Sequence, residues 1–164
     1  MTYIQFETKY FLYVAEQQTI WYIMKQLFMC NIWDMNMDSD SEISSLEDAC
    51  KKVLKMPKIR FVGVLNNMGR KIAGSFRKGI TSYLEDNEDH MMYVQLTFEY
   101  LMRKDFDKKL GPIDYIVSQR KKVVLISIPT RDYLVLISAD RGADVLEIIN
   151  EVNKAFTMLP DIRP

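Results

Sequence analysis

Histidine is almost absent from this sequence: 164 residues contain only His90. That scarcity excludes most metal sites and most histidine-based proton transfer. Cysteine is nearly as rare. Cys30 and Cys50 form no CxxC pair and no metal-ligand spacing, and they read as reduced thiols in a cytoplasmic protein. Net charge is missing too. Lys and Arg number 22 against 22 Asp and Glu, so no basic excess draws the chain to nucleic acid. Long apolar runs are also lacking. A membrane span needs about 20 mostly apolar residues, and Glu16, Gln17, Gln18, Thr19, Lys25 and Gln26 break the candidates. No basic start, apolar middle and small-residue cleavage site marks a secretory signal.

Glycine and proline are unevenly missing. Residues 1–36 contain neither, yet hold both tryptophans and nine of the nineteen aromatics. Residues 37–164 hold every Gly and Pro and twenty of the 22 Lys and Arg. Two readings of the aromatic-rich extension stand. It is an amphipathic helix over residues 19–33, with Ile20, Ile23, Met24, Leu27, Phe28 and Ile32 on one side. Or translation begins at Met35 or Met37, and the tract is excluded from fold reasoning. Residues 37–44 read as a solvated acidic linker. Residues 45–158 then form one domain, long enough to bury a core, and residues 159–164 a tail.

The domain opens on a helix capped by Ser44 or Ser45. Leu46, Ala49, Cys50, Val53 and Leu54 recur at helical spacing and give it one apolar face. Cys50 on that stripe reads as core rather than nucleophile, and Pro57 ends the helix. Next comes "FVGVLNNMGRKIAGSF", residues 61–76. A phosphate-binding loop needs GxxxxGK[ST] between a strand and a helix. Here Gly63 and Gly69 are six apart, Arg70 follows where the lysine belongs, and strand alternation resumes after the turn. The stretch reads as a hairpin whose turn contains Asn66, Asn67 and Gly69. Gly74 reads as a bulge and Gly79 as a strand exit.

"EDNEDH", residues 85–90, gathers four carboxylates beside the only histidine. The carboxylates lack the alternate spacing and the glycine of a calcium loop, so Asp86 or Asp89 reads as the cap of a second helix over residues 90–109. No cofactor or metal site is expected. That helix is apolar on more than one side. Met91, Val94, Phe98, Leu101 and Met102 form one stripe, while Met92, Tyr93, Leu96 and Tyr100 extend the surface. A sheet covers one side, and the other invites a partner. The basic residues in "RKDFDKKL" alternate with Asp105 and Asp107, which argues against nucleic acid.

Three strands follow, over residues 113–119, 122–128 and 133–138, joined by hairpin-length turns. The middle one is nearly all aliphatic, the mark of a strand covered on both faces. A last helix runs over residues 144–156, capped by Asp144, with Val145, Ile148, Ile149, Val152, Ala155 and Phe156 on its buried face. The order α-β-β-α-β-β-β-α predicts an α+β layer fold built on a five-stranded antiparallel sheet.

That element order resembles the roadblock/dynein light chain family and its profilin-like relatives. The stretches "IRFVGVLNNMGRKIAGSF", "MRKDFDKKLGPIDY", "KVVLISIP" and "YLVLISAD" resemble an uncharacterised family of small archaeal proteins with such a domain. The roadblock resemblance implies a long helix on one sheet face and two helices on the other. It also implies dimerisation through the long helix and an edge strand, and a role as a platform for small GTPases. Carried onto this sequence, the interface residues are Met91, Met92, Val94, Phe98, Leu101 and Met102 on the helix and Ile113, Tyr115 and Val117 on the edge strand. The family brings no catalytic motif. The expected function is a non-enzymatic, dimeric, cytoplasmic interaction module. It pairs with itself or a related domain, or with a small GTPase. The alternative is a small-ligand sensor with a pocket lined by Tyr93, Tyr100, Tyr115 and methionines.

Overall fold

The computed structural model describes residues 40–130 and 132–157. The expectations for residues 1–36 and for the tail at 159–164 fall outside them. Helix α1 spans Asp40–Leu54 and buries Leu46, Ala49, Cys50 and Val53, three and four residues apart on one face. Its start corrects the sequence reading. Residues 40–44, expected as linker, are helical, and Ser44 and Ser45 lie inside the helix rather than at its cap. Asp40 and Glu42 occupy the first turn, where negative charge suits the positive end of the helix dipole. The Ser45 hydroxyl is used internally, donating to the Ser41 carbonyl at 2.9 Å.

Strands β1 (Ile59–Leu65) and β2 (Lys71–Phe76) form the expected hairpin. Helix α2 (Asp86–Arg103) follows, then a single 3-10 turn (Lys104–Phe106) and the short helix α3 (Asp107–Leu110). The second helix therefore begins four residues earlier than expected, and Glu85, not Asp86 or Asp89, is its N-cap. The Glu85 N–H donates to Glu88 Oε2 at 2.9 Å, a capping-box bond. Strands β3 (Ile116–Gln119), β4 (Val123–Thr130) and β5 (Tyr133–Asp140) and helix α4 (Val145–Thr157) complete the domain. The Asp144 carboxylate caps α4 as expected, accepting from the Glu147 N–H at 3.0 Å.

The five strands are antiparallel, in the order β2-β1-β5-β4-β3. Central strands β1, β4 and β5 are buried on both faces, which explains their nearly unbroken aliphatic sequence. Two irregularities correct the simple alternation. The β1–β5 register shifts between Ile59 and Phe61, so Ile59 joins Val62 and Val64 in one core cluster while Phe61 enters the other. In the first hairpin Leu65 pairs with Lys71 and Val64 with Ala73. The extra residue is Ile72, so the bulge sits there rather than at Gly74.

Two cores result. Helices α1 and α4 cover one face through Leu46, Cys50, Val53, Ile148, Val152 and Phe156 over Val62, Val64, Ile126, Val135 and Ile137. Helix α2 covers the other with Tyr93 over Phe61, Leu65, Leu134 and Leu136. The Phe61 and Tyr93 rings stack with centroids 5.8 Å apart. Each fully buried aliphatic side chain contributes about 1.5–3 kcal/mol relative to exposure, so the thicker α1/α4 core carries most of the apolar burial.

Candidate functional site: the outer face of α2 and the cavity beside it

The hairpin tip is built to touch α2. Asn66 closes the turn with its side chain, its Oδ1 accepting from the Met68 and Arg70 N–H groups at 3.0 Å each. Its carbonyl accepts from the Gly69 N–H at 2.9 Å. Gly69 has φ +74°, and a Cβ there would fall 2.6 Å from the Val94 Cα. The turn expected from Asn66, Asn67 and Gly69 thus forms, and it packs on helix backbone.

Helix α2 divides its apolar residues differently from the sequence stripe. Its buried residues are Tyr93 and Thr97, with Met92, Leu96 and Tyr100 half-buried against the same cluster. Met91 and Met102 are 58% and 65% exposed, and Val94, Phe98 and Leu101 are half-buried. The apolar surface runs on past the helix through Phe106 and Leu110, both exposed. Of the residues expected on the edge strand, Val117 lies in β3 and is exposed. Ile113 and Tyr115 precede the strand, which begins at Ile116. Strand β3 pairs only with β4, so its outer edge carries backbone groups unpaired within the described sheet.

A cavity of about 490 Å³ opens between the N-terminal half of α2, residues 82–84, the sheet and the β3–β4 turn. Phe61, Leu125 and Leu136 supply apolar walls, and Arg120, Lys121 and Lys122 of the β3–β4 turn and Glu88 and Asp89 of α2 supply charge. The Tyr83 ring meets two cations, Arg60 Cζ at 4.2 Å and Lys122 Nζ at 5.2 Å from its centroid. Arg60 is held in place by bonds to Asp140 Oδ1 at 3.3 Å and to the Thr81 carbonyl at 3.2 Å. Burial pushes the Tyr93 hydroxyl up to about 12, helped by the Asp89 charge. Burial also raises Asp89, opposed by the Ser82 hydroxyl that donates to it at 3.0 Å. Tyr93, Met91 and Met92 line the cavity, as the ligand-sensor reading expected, but Tyr100 and Tyr115 do not.

Among the described residues no group of three His, Cys, Asp or Glu side chains could hold a metal ion. No described helix is long and apolar enough to cross a membrane. Cys50 is fully buried, and burial followed by the Glu47 charge pushes its thiol up to about 12. A thiol so protonated is not a nucleophile at neutral pH.

Residues 38–157 match a family described as "Family of unknown function (DUF6659)". This chain is a DUF6659 protein. Solved structures give the fold of the DUF6659 domain. A roadblock/LC7 domain from Streptomyces avermitilis superposes with a TM-score of 0.55 at 12% identity, covering 68% of this chain and 91% of that one. The gliding protein MglB of Thermus thermophilus gives 0.59 at 11% identity over 69% and 84%. MglB of Myxococcus xanthus gives 0.58 at 12% over 73% and 87%. A further MglB structure, described as having a tetrameric arrangement, gives 0.58. The DUF6659 domain therefore has the roadblock/LC7 fold. No curated protein matches the chain.

The contact of Tyr83 with two cations was not legible in the sequence. Residues 119–122, "QRKK", are visibly basic, but nothing in their spacing says that Tyr83, some forty residues away, lies against Lys122.

Proposed function

We propose that this chain is a non-enzymatic protein-interaction module of the cytoplasm. It pairs with a second copy or a related domain through α2 and the β3 edge, and serves a small GTPase as platform or regulator. The carrying observation is the outer face of α2, where Met91 and Met102 are exposed beside half-buried Phe98 and Leu101. Exposed methionines adapt to a partner's shape, and the outer edge of β3, unpaired within the described sheet, offers backbone pairing. The proposed interface includes Met92, Val94, Ile113, Tyr115 and Val117, of which Met92 packs on the domain's own core and Val94 on the hairpin tip. The fold shared with MglB supports the reading. So does the protonated, buried state of Cys50, which withdraws the domain's one thiol from chemistry.

Size-exclusion with light scattering of the full chain at low micromolar concentration tests self-association. A dimer is expected, and Phe98→Asp with Met102→Asp shifts it to monomer. A strict monomer whose behaviour the double change leaves unaltered overturns the reading. For the GTPase, titration with purified small GTPases in GDP and GTP-analogue form should give a complex that depends on the bound nucleotide.

The second reading, a small-ligand sensor, is favoured by one observation: the 490 Å³ cavity under α2 falls within the size of ligand sites, about 300–1,000 Å³.

A further inference from the structure

We propose that this cavity binds a small organic anion, with its apolar body against Phe61, Leu125 and Leu136 and its charged head toward Arg120, Lys121 and Lys122. The proposal rests on the ligand-sensor reading and adds the chemical class of the ligand.

The charges around the cavity are asymmetric. Four cations line it, Arg60, Arg120, Lys121 and Lys122, against two carboxylates, Glu88 and Asp89. Arg60 is already paired with Asp140. The three cations of the β3–β4 turn make no ion pair among the described residues. All three are exposed; Arg120 and Lys121 can turn toward a guest, while Lys122 lies over the Tyr83 ring. The two carboxylates already hold partners on their own segment. Glu88 accepts from the Glu85 N–H and Asp89 from the Ser82 hydroxyl, so both are occupied at the helix start.

The walls are apolar and mostly rigid. Phe61, Leu125 and Leu136 are buried on central strands. Tyr83 is a different kind of wall. Its ring is gripped by Arg60 from one chain segment and by Lys122 from another. The Arg60 contact links residues 82–84 to β1, and the Lys122 contact links them to the β3–β4 turn. An anion near Lys122 is met by a cation whose position the ring has already narrowed. Focusing of like charges beside low-dielectric walls strengthens such an attraction. A cationic guest meets the same three charges and is repelled.

The test uses the full isotope-labelled chain and three probes with one apolar body and different heads: naphthoate, naphthalenemethanol and naphthylmethylamine. Backbone amide shifts of Leu125, Leu136 and Ser138 report cavity occupation. Naphthoate is expected to bind saturably, about tenfold or more tighter than the alcohol, the order that a few partly screened charges supply. The amine should bind weakest. Lys121→Glu with Lys122→Glu, changed at exposed positions, should remove the preference for the carboxylate. Ser138→Phe places a ring in the cavity and should abolish all three titrations; the charge-reversal variant carries the test if that protein does not fold. Equal affinity for naphthoate and the alcohol overturns the anion proposal and leaves the ligand-sensor reading intact. Binding of none of the three overturns both. Naphthoate shifts confined to residues away from the cavity, or undiminished in Ser138→Phe, overturn the site.

Discussion

Gly69, at the tip of the first hairpin, lies against the backbone of Val94 in the middle of α2: a Cβ on Gly69 would fall 2.6 Å from the Val94 Cα and 3.0 Å from its nitrogen. The contact is between two stiff backbones, so no side chain can swing away to relieve a clash. Gly69 also has φ +74°, a conformation that L side chains rarely adopt. Gly69→Ala should therefore cost about 2–4 kcal/mol, combining positive-φ strain with overpacking. Gly79 separates the two causes, since it has φ +81° but nothing within 4 Å of its would-be Cβ. Gly79→Ala should cost only about 1–2 kcal/mol, the strain alone. Urea unfolding of both variants checks the difference; equal costs would mean that the contact with Val94 is unimportant.

Arg77 should prove to be the hidden cap of α1. Its guanidinium donates to the Leu54 carbonyl at 2.7 Å and to the Met56 carbonyl. These carbonyls lie at the end of α1, where helical partners run out, and a cation there also suits the dipole. Arg77→Met keeps the apolar stem and removes the donors. A loss of about 2–3 kcal/mol is expected, the range for charge-assisted bonds whose buried partner is left unpaired. The checking measurement is thermal unfolding followed at several wavelengths. Loss of helical signal ahead of tertiary signal would locate the damage in α1.

Thr97 makes the opposite prediction. It is 2% exposed, and its hydroxyl has no hydrogen-bond partner among the described residues. An unpaired buried hydroxyl costs about 1–3 kcal/mol by protein mutational data. Val has nearly the same shape and no hydroxyl. Thr97→Val should raise stability by roughly 1 kcal/mol. A destabilised variant would show that the hydroxyl has a partner in solution, such as bound water.

Thr97 also shows why the layout of α2 was only half legible. The order of helices and strands follows from periodicity and turn chemistry, and the five-stranded antiparallel sheet was recoverable from them. The face that α2 turns to the sheet was not, because a threonine stands at its centre and a tyrosine beside it. The more apolar stripe of Met91, Phe98 and Met102 faces outward, so hydrophobicity alone points to the wrong side. Local bulges were hidden for a related reason. The register shift at Ile59–Phe61 depends on pairing with Ala139 and Ser138, residues far away in the chain. Helix starts were misplaced where two capping signals compete. Glu85 with Glu88 prevails over Asp86 and Asp89 because the capping box satisfies backbone donors from both directions. The cavity brings together residues 60 to 138 through tertiary contacts, which no local pattern encodes.

Alkaline pH should destabilise this domain over two overlapping intervals. The Cys50 thiol is raised from 9.0 to about 12, and the Tyr93 hydroxyl from 10.0 to about 12, burial being the larger cause in both. Both groups are neutral when protonated, and the folded state resists their ionisation. The unfolded chain loses these protons first as pH rises, so it binds fewer protons than the native state and stability falls with increasing pH. The stabilisation is fully present below the unfolded values. It begins to decline near pH 9 for Cys50 and near pH 10 for Tyr93, and continues to decline until about 12, where the native groups ionise. Melting temperature measured across this interval, in a Cys30→Ser background, should drop from pH 9 upward. Cys50→Ala should remove the earlier part of the decline, and Tyr93→Phe the later part. Thiol-reagent labelling at pH 8 provides an independent check. Cys50 should react only as fast as the domain opens, because the native thiol is both buried and protonated. Rapid labelling of the native protein would show that Cys50 is accessible and would remove the basis for the earlier interval.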